Sequence, residues 1–118
     1  MLNWTCAETA AKLAPAAVLA GALAISVDAA SALTADEVLS NMDPVEANSF
    51  IAGTVEGLAT ARWLADRPDP SGMQCIYDWY LGDPAETFEQ TMAWLERHPD
   101  QQVGILLHVL IERECPSG

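Results

Sequence analysis

The side chains best suited to acid–base, nucleophilic or metal chemistry are few in this sequence. His98 and His108 are its two histidines, and a metal site would need two or three further ligands close to them. A cysteine nucleophile would need a free thiol, whereas we expect the cysteines of the folded domain to pair. The acidic residues between positions 66 and 71 lack the spacing and the glycine of a calcium loop. The sequence therefore predicts no catalytic residue, no metal site and no cofactor.

Binding chemistry is indicated instead by a cluster of aromatic and acidic side chains. Three aromatic residues fall within positions 77–80, and we expect this segment to be a loop anchored by the nearby Cys75. Tryptophan and tyrosine are favoured contact residues of protein interfaces, and acidic neighbours would steer a basic partner. The predicted partner-binding residues are Tyr77, Asp78, Trp79, Tyr80 and Asp83. Two other interpretations remain open, because the aromatic side chains could equally seal the core or form a homodimer interface.

The overall composition restricts the kind of partner. The chain has 118 residues and a net charge of −12, from 5 Lys+Arg and 17 Asp+Glu. This charge repels a phosphate backbone or an anionic membrane surface, so nucleic acid is excluded and a basic protein is favoured. Hydrophobic residues make up 51% of the chain, too many for a disordered acidic tail, and the length allows one small domain.

Residues 1–32 are typical of a secretory signal peptide. Their apolar run, Leu13–Ile25, has 13 residues, which suits a signal core and is shorter than the roughly 20 residues of a membrane span. The Ala-Ser-Ala sequence ending at Ala32 predicts cleavage there. The mature domain, residues 33–118, would then be periplasmic, with no membrane insertion. The alternative is that the first 32 residues pack as an N-terminal helix of the domain.

The number of cysteines agrees with export. Cleavage would remove Cys6 and leave Cys75 and Cys115, an even pair in an oxidising compartment. A mature domain of 86 residues has a modest core and often needs a cross-link. We therefore expect a disulfide between these two cysteines. It would close a loop of about 40 residues and stabilise the fold by roughly 4 kcal/mol.

The remaining pattern predicts an all-α domain, a small antiparallel bundle of about four helices. Asp-Pro pairs at Asp43 and Asp83, each followed two residues later by glutamate, are typical helix starts, and Thr34 can cap a shorter helix. The predicted helices cover residues 34–42, 44–65, 84–97 and 99–114, with a loop over residues 67–72. The predicted core face of the second helix consists of Ala47, Phe50, Ile51, Thr54, Leu58 and Ala61.

Two glycines lie inside the second predicted helix. Gly53 and Gly57 are four residues apart, and each costs roughly 1 kcal/mol relative to alanine at a helix interior. We interpret the pair as allowing close approach of another helix or of an extended segment. Contact with a ligand is the alternative.

Taken in order, these segments resemble the Tai, or resistance-associated, immunity proteins that neutralise type VI secretion amidase effectors. Residues 50–57, which include Gly53, Glu56 and Gly57, are similar to that family's aromatic-x-x-Gly-x-x-acid-Gly segment. Residues 94–100, which include His98 and Pro99, are similar to its Tyr-Leu-x-x-His-Pro-Glu segment. The resemblance covers residues 44–116. It fails at residues 77–80, where the family has a Pro-x-Gly-Val-Thr-like turn.

The resemblance implies a non-enzymatic, dimeric periplasmic protein that binds an amidase effector and blocks its active-site cleft. A basic surface near that cleft would suit the acidic charge of this chain. The alternative is an acid-stress periplasmic chaperone of the HdeA type, which is also small, helical, secreted and held by one disulfide. Protonation of its carboxylates would reverse the net charge of the chain and favour opening at low pH.

Overall fold

Five helices joined by short connections make up the part of the chain described by the computed structural model, residues 32–118. The helices are α1 (Ala35–Asn41), α2 (Pro44–Asp66), α3 (Ser71–Gly82), α4 (Pro84–Arg97) and α5 (Val103–Glu114). The all-α prediction is confirmed, with one helix more than the sequence indicated. The signal peptide predicted for residues 1–32 lies, except for Ala32, outside the described residues.

Side-chain caps begin three of the helices, as the sequence predicted. At α1, the Thr34 hydroxyl accepts the Glu37 backbone N–H at 3.3 Å, and the Glu37 carboxylate accepts the Thr34 backbone N–H at 2.7 Å. The same reciprocal bonds join Asp43 and Glu46 at the start of α2. Asp83 caps α4. These bonds satisfy backbone donors that have no partner inside a helix, so they fix where each helix begins.

Helix α3 was not predicted. The loop expected over residues 67–72 ends two residues early, and the loop expected around residues 77–80 is helical. Pro70 is the residue immediately before α3, and the Asp69 carboxylate accepts the Ser71 backbone N–H at 3.0 Å, so the proline-rich sequence starts a helix. Apolar side chains at positions 73, 76, 77 and 80 recur at helical spacing, a pattern that the cluster of aromatic residues obscured.

Helix α5 begins later than predicted. It starts at Val103 instead of Pro99, because residues 99–101 form backbone hydrogen bonds with the start of α1. The Pro99 carbonyl accepts the Asp36 N–H at 2.9 Å, and the Gln101 carbonyl accepts the Ala35 N–H at 2.8 Å. The carbonyls of this segment are therefore used across the fold and are unavailable for a first turn of α5.

The buried stripe of α2 differs from the predicted one. Ala47 and Ile51 are buried as expected, but the stripe continues through Val55 and Ala59, while Ala61 is exposed. Residues four apart are rotated by about 40° on an ideal helix, so this stripe winds round α2 and follows its successive neighbours. The largest fully buried apolar side chains of the core are Val38, Ile51, Val55, Ile76, Leu95, Val103 and Leu107.

The predicted disulfide is present and is reinforced by an arginine. Cys75 of α3 is bonded to Cys115, the residue that follows α5, with an S–S distance of 2.04 Å. The Arg62 guanidinium donates hydrogen bonds to the backbone carbonyls of Cys115 at 2.9 Å and Pro116 at 3.0 Å. It also pairs with Asp66 at 2.6 Å, and its side chain is only 12% exposed. We call these five residues the Arg62 junction. It joins α2, α3 and the end of α5.

The close-approach interpretation of Gly53 and Gly57 is wrong. Both are exposed, and within residues 32–118 a Cβ atom added at either position would have no neighbour within 4 Å. The crowded glycine is Gly72 on α3. A Cβ atom there would lie 2.5 Å from Arg62 Nε and 2.7 Å from Asp66 Oδ2. Gly72 is therefore the glycine that allows two parts of the chain to approach each other, and it does so at the Arg62 junction.

These environments predict opposite effects for the same substitution. Gly53→Ala and Gly57→Ala should each raise the free energy of unfolding by about 0.5–1 kcal/mol, because alanine suits an exposed helix interior better than glycine. Gly72→Ala should lower it, because the added methyl group must displace the Arg62–Asp66 pair. Urea denaturation of the three variants checks this, and a loss of stability in Gly53→Ala would contradict the exposed placement.

Candidate partner-binding surface

The predicted partner-binding residues lie on the last turns of α3 and at the start of α4. Tyr77, Asp78, Trp79 and Tyr80 belong to α3, and Asp83 follows as the cap of α4. Successive helical residues are about 100° apart, so Tyr77 and Trp79 occupy opposite flanks of α3. The structure therefore divides the predicted patch between two neighbouring surfaces.

Trp79 lines a groove between the end of α3, the first half of α4 and the end of α5. Its volume is about 510 Å³, and we call it the Trp79 groove. The residues that line it are Asp78, Trp79, Gly82, Asp83, Glu86, Thr87, Gln90 and Glu114. Four of them are carboxylates and none is basic. Trp79 is half-buried and packs against the core, so it gives the groove a fixed aromatic wall.

This combination of charge and aromatic surface suits an organic cation. An arginine or lysine side chain can pair with the carboxylates while its cationic group lies against the tryptophan ring. Within residues 32–118, no group of three or more His, Cys, Asp or Glu side chains is placed to hold a metal ion. The acidic groups of the groove are thus arranged along a surface that an extended basic segment could follow.

The other flank of α3 carries a smaller groove of about 250 Å³. It is lined by Tyr77, Asp78, Leu81 and Gly82, and Leu81 is 60% exposed. Tyr80 lines neither groove. Its ring centroid lies 6.1 Å from that of Trp79, and partial burial raises the pKa of its hydroxyl. Asp78 and Gly82 line both grooves.

A hydrogen bond connects residues 50–57, the segment that contains Gly53 and Gly57, to this surface. The Tyr77 hydroxyl donates to Glu56 Oε1 at 2.7 Å, which links α3 to α2. This bond, together with desolvation and the negative charge of Glu56, raises the pKa of Tyr77. Gly53 and Gly57 lie on the exposed surface of α2 near Glu56 in sequence. Glu56 therefore links this segment to a predicted partner-binding residue.

His98 and Pro99 both have structural roles at the end of α4. His98 ends α4, and its ring packs edge-on against Trp94 with 4.4 Å between ring centroids. Pro99 supplies one of the carbonyls that cap the first turn of α1. The His-Pro-Asp sequence therefore forms the turn that attaches α1 to the rest of the domain.

A groove between α2 and α5 was not predicted from the sequence. Its volume is about 210 Å³, and its lining is largely apolar, with Arg62 and His108 at its wall. The full lining is Leu58, Ala61, Arg62, Ala65, Ile76, His108, Ile111, Glu112 and Ser117. The feature of the sequence that could have indicated this groove is Arg62, a charged residue four positions after Leu58 and four before Asp66. The guanidinium group of Arg62 is already hydrogen-bonded within the Arg62 junction, so the surface that this groove presents is mainly apolar.

Comparison of the chain with models of known protein families, with curated proteins and with solved structures found no match. Within residues 32–118, none of the helices has both the length and the apolar character required to cross a bilayer.

The link between Tyr77 and Glu56 gives a spectroscopic prediction. Tyr77 and Tyr80 are the two tyrosines of the chain, so absorbance at 295 nm should report a phenol titration above pH 10. Because the folded-state pKa is raised, the stabilisation from Tyr77 is present below pH 10 and is lost as the pH rises through that pKa. Glu56→Gln should lower the pKa of Tyr77 by removing the neighbouring charge.

Glu89→Gln is the matched control, because Glu89 is exposed on α4 and contacts neither tyrosine in the hydrogen bonds described above. It should leave the titration unchanged. An unaltered curve in Glu56→Gln would mean that the hydrogen bond between α2 and α3 does not persist in solution.

Proposed function

We propose that this chain is a non-enzymatic protein-binding module whose Trp79 groove binds a basic segment of a partner protein. The observation that carries this proposal is the groove itself. It combines four carboxylates, no basic lining residue and a half-buried tryptophan in one concave surface. Aromatic side chains of this kind provide large contact area at low entropic cost, and the carboxylates accelerate association with a basic surface.

The rigidity of the scaffold supports this proposal. The walls of the groove come from α3, α4 and α5, and the Cys75–Cys115 disulfide joins the first of these helices to the end of the last. The Thr87 hydroxyl donates to the Trp79 carbonyl at 3.2 Å, which attaches α3 to α4 directly. A surface that is already ordered before binding loses less entropy when a partner docks.

The nature of the partner is proposed from the resemblance to the Tai immunity proteins. On that basis the partner is a cell-wall amidase effector of a type VI secretion system, and the module acts in the periplasm after removal of residues 1–32. Binding would place the acidic groove against a basic rim of the amidase cleft and exclude its substrate. A homodimer would present two such grooves.

The groove proposal predicts how variants bind a basic peptide. In a calorimetric titration with acetyl-(Arg)4-amide, the full chain should bind, and Glu86→Gln should weaken binding by removing a carboxylate from the groove. Trp79→Ala should weaken it further, by about 2 kcal/mol for a central aromatic contact. Glu89→Gln makes the same chemical change on the same helix outside the groove, so it should bind as the unaltered protein does.

Equal weakening by Glu86→Gln and Glu89→Gln would show that only the overall charge attracts the peptide. Trp79→Ala with reduced thermal stability and normal affinity in its folded fraction would make Trp79 a core residue and would place the partner elsewhere. If the partner is an amidase effector, the same ranking of variants should hold for inhibition of that amidase.

The acid-stress chaperone is the second candidate, and the helix starts favour it. Carboxylates take part in the caps of α1, α2 and α4, so acid removes interactions that fix where the helices begin. Hydrogen bonds from Ser117 also lower the pKa of Glu112, and hydrogen bonds from Ser71 lower the pKa of Asp69. Residues 33–118 carry 15 acidic and 4 arginine side chains, so protonation would change their charge from −11 to about +6.

The pKa of Glu112 gives the direction of the pH dependence. Its folded-state pKa lies below the ordinary 4.5, so its stabilisation is present above pH 4.5 and is lost as the pH falls through the lowered value. Urea denaturation between pH 7 and 3 should show this decrease, and Glu112→Gln should reduce it. A protein-binding module should not prevent the aggregation of a client protein at pH 2–3. Rescue of the client would favour the chaperone instead.

A further inference from the structure

Two arginines share one tryptophan ring on the surface formed by α4 and α5. The Cζ atoms of Arg97 and Arg113 lie 5.4 and 5.3 Å from the centre of the Trp94 ring. The ring is held in place because its Nε1–H donates to the Leu106 carbonyl at 3.0 Å and because His98 packs against it. We call Trp94, Arg97 and Arg113 the Trp94 platform.

The guanidinium groups of the platform face solvent. Both arginines are exposed, and within residues 32–118 neither has a carboxylate within 4.0 Å or donates a hydrogen bond to another protein group. Acidic side chains outnumber arginines 15 to 4 in residues 33–118, so these two cations would readily have found partners on a randomly arranged surface. Each arginine lies in the last turn of its helix, where a positive charge is favourable, but that preference does not bring both to one ring.

The platform continues the surface that contains the Trp79 groove. Glu86 and Gln90 line the groove, and Trp94 and Arg97 follow them on the same face of α4 at intervals of four and three residues. Glu86 and Arg97 are eleven residues apart, which corresponds to about 16 Å along the helix. The surface is therefore acidic at the start of α4 and basic at its end, with a tryptophan at each end.

Exposed apolar side chains lie beside the basic end. Val109 is 40% exposed and lies on α5 between Leu106 and Arg113, both of which contact Trp94. Ile105, one turn earlier, is 51% exposed. Within residues 32–118, no other element covers these two side chains fully. A ligand of the platform would thus find two guanidinium groups, an aromatic ring and an apolar strip together.

We infer that the Trp94 platform is a subsite for a carboxylate of the protein partner, an aspartate or glutamate that lies beyond the basic residue held in the Trp79 groove, toward the C-terminal end of α4. This inference rests on the proposed function. A guanidinium group matches the planar geometry of a carboxylate with two parallel hydrogen bonds, and the donors of both arginines have no partner within residues 32–118. The rest of the chain repels acidic ligands. The platform therefore selects partners that present a basic residue to the groove and an acidic residue to the platform, and it fixes their orientation.

The inference is tested by NMR with acetyl-(Glu)3-amide as the probe and the full chain labelled with ¹⁵N. The Trp94 indole N–H and the Nε–H signals of Arg97 and Arg113 should shift saturably. The double variant Arg97→Gln/Arg113→Gln should bind at least about tenfold more weakly, since charge-assisted hydrogen bonds are lost. The corresponding lysine variant should lie between, because it keeps the charge without the planar fork.

Arg67→Gln is the matched control, since Arg67 is an exposed arginine between α2 and α3, and it should leave the affinity unchanged. Equal weakening by Arg67→Gln, or no saturable shift, would overturn the inference. Binding of inorganic phosphate as tightly as the peptide would overturn its assignment to a carboxylate. If the protein binds acetyl-(Arg)4-amide normally but does not bind the glutamate peptide, only the platform is rejected. If it does not bind acetyl-(Arg)4-amide, the groove is rejected.

Discussion

The guanidinium group of Arg62 joins α2 to the segment that follows α5, more than 50 positions later in the sequence. It lies on α2, donates its Nε–H to the Asp66 carboxylate and donates further hydrogen bonds to the carbonyls that follow α5. A cation that is 12% exposed is stable only when its donors have partners, so each of these contacts depends on the others. The disulfide supports this arrangement by keeping the Cys115 carbonyl next to α3, and Gly72 makes room for it.

The consequence reaches the surface where we place binding. Asp78 and Trp79 belong to α3, whereas Glu114 precedes the cysteine at the end of α5. The Arg62 junction fixes these two helix ends relative to each other, and so it fixes the width of the Trp79 groove. The arginines that remain are Arg67, in the connection before α3, and the pair at Trp94, which leaves the groove lining without a basic residue. Opposite charges are thus separated along α4 instead of neutralising each other locally.

The sequence was sufficient where the structure depends on local interactions. The caps at Asp43, Asp83 and Thr34, the disulfide and the all-α class follow from neighbouring residues or from the number of cysteines. The start of α5 and the buried stripe of α2 differ from the prediction because they depend on contacts between distant segments. Helical periodicity carries no information about such contacts. The grooves themselves were out of reach, because Glu114 lies 31 positions after Asp83 and no local pattern places them together.

Helix α1 has seven residues, too few to be stable as an isolated helix in water. Its first backbone N–H groups are bonded to carbonyls in the turn after α4, more than 60 positions away. Formation of α1 must therefore wait for that turn, and the amides of both segments should exchange with solvent through a shared opening event. Detachment of α1 while α2 to α5 stay intact would uncover Val38 and the side of the core beneath it.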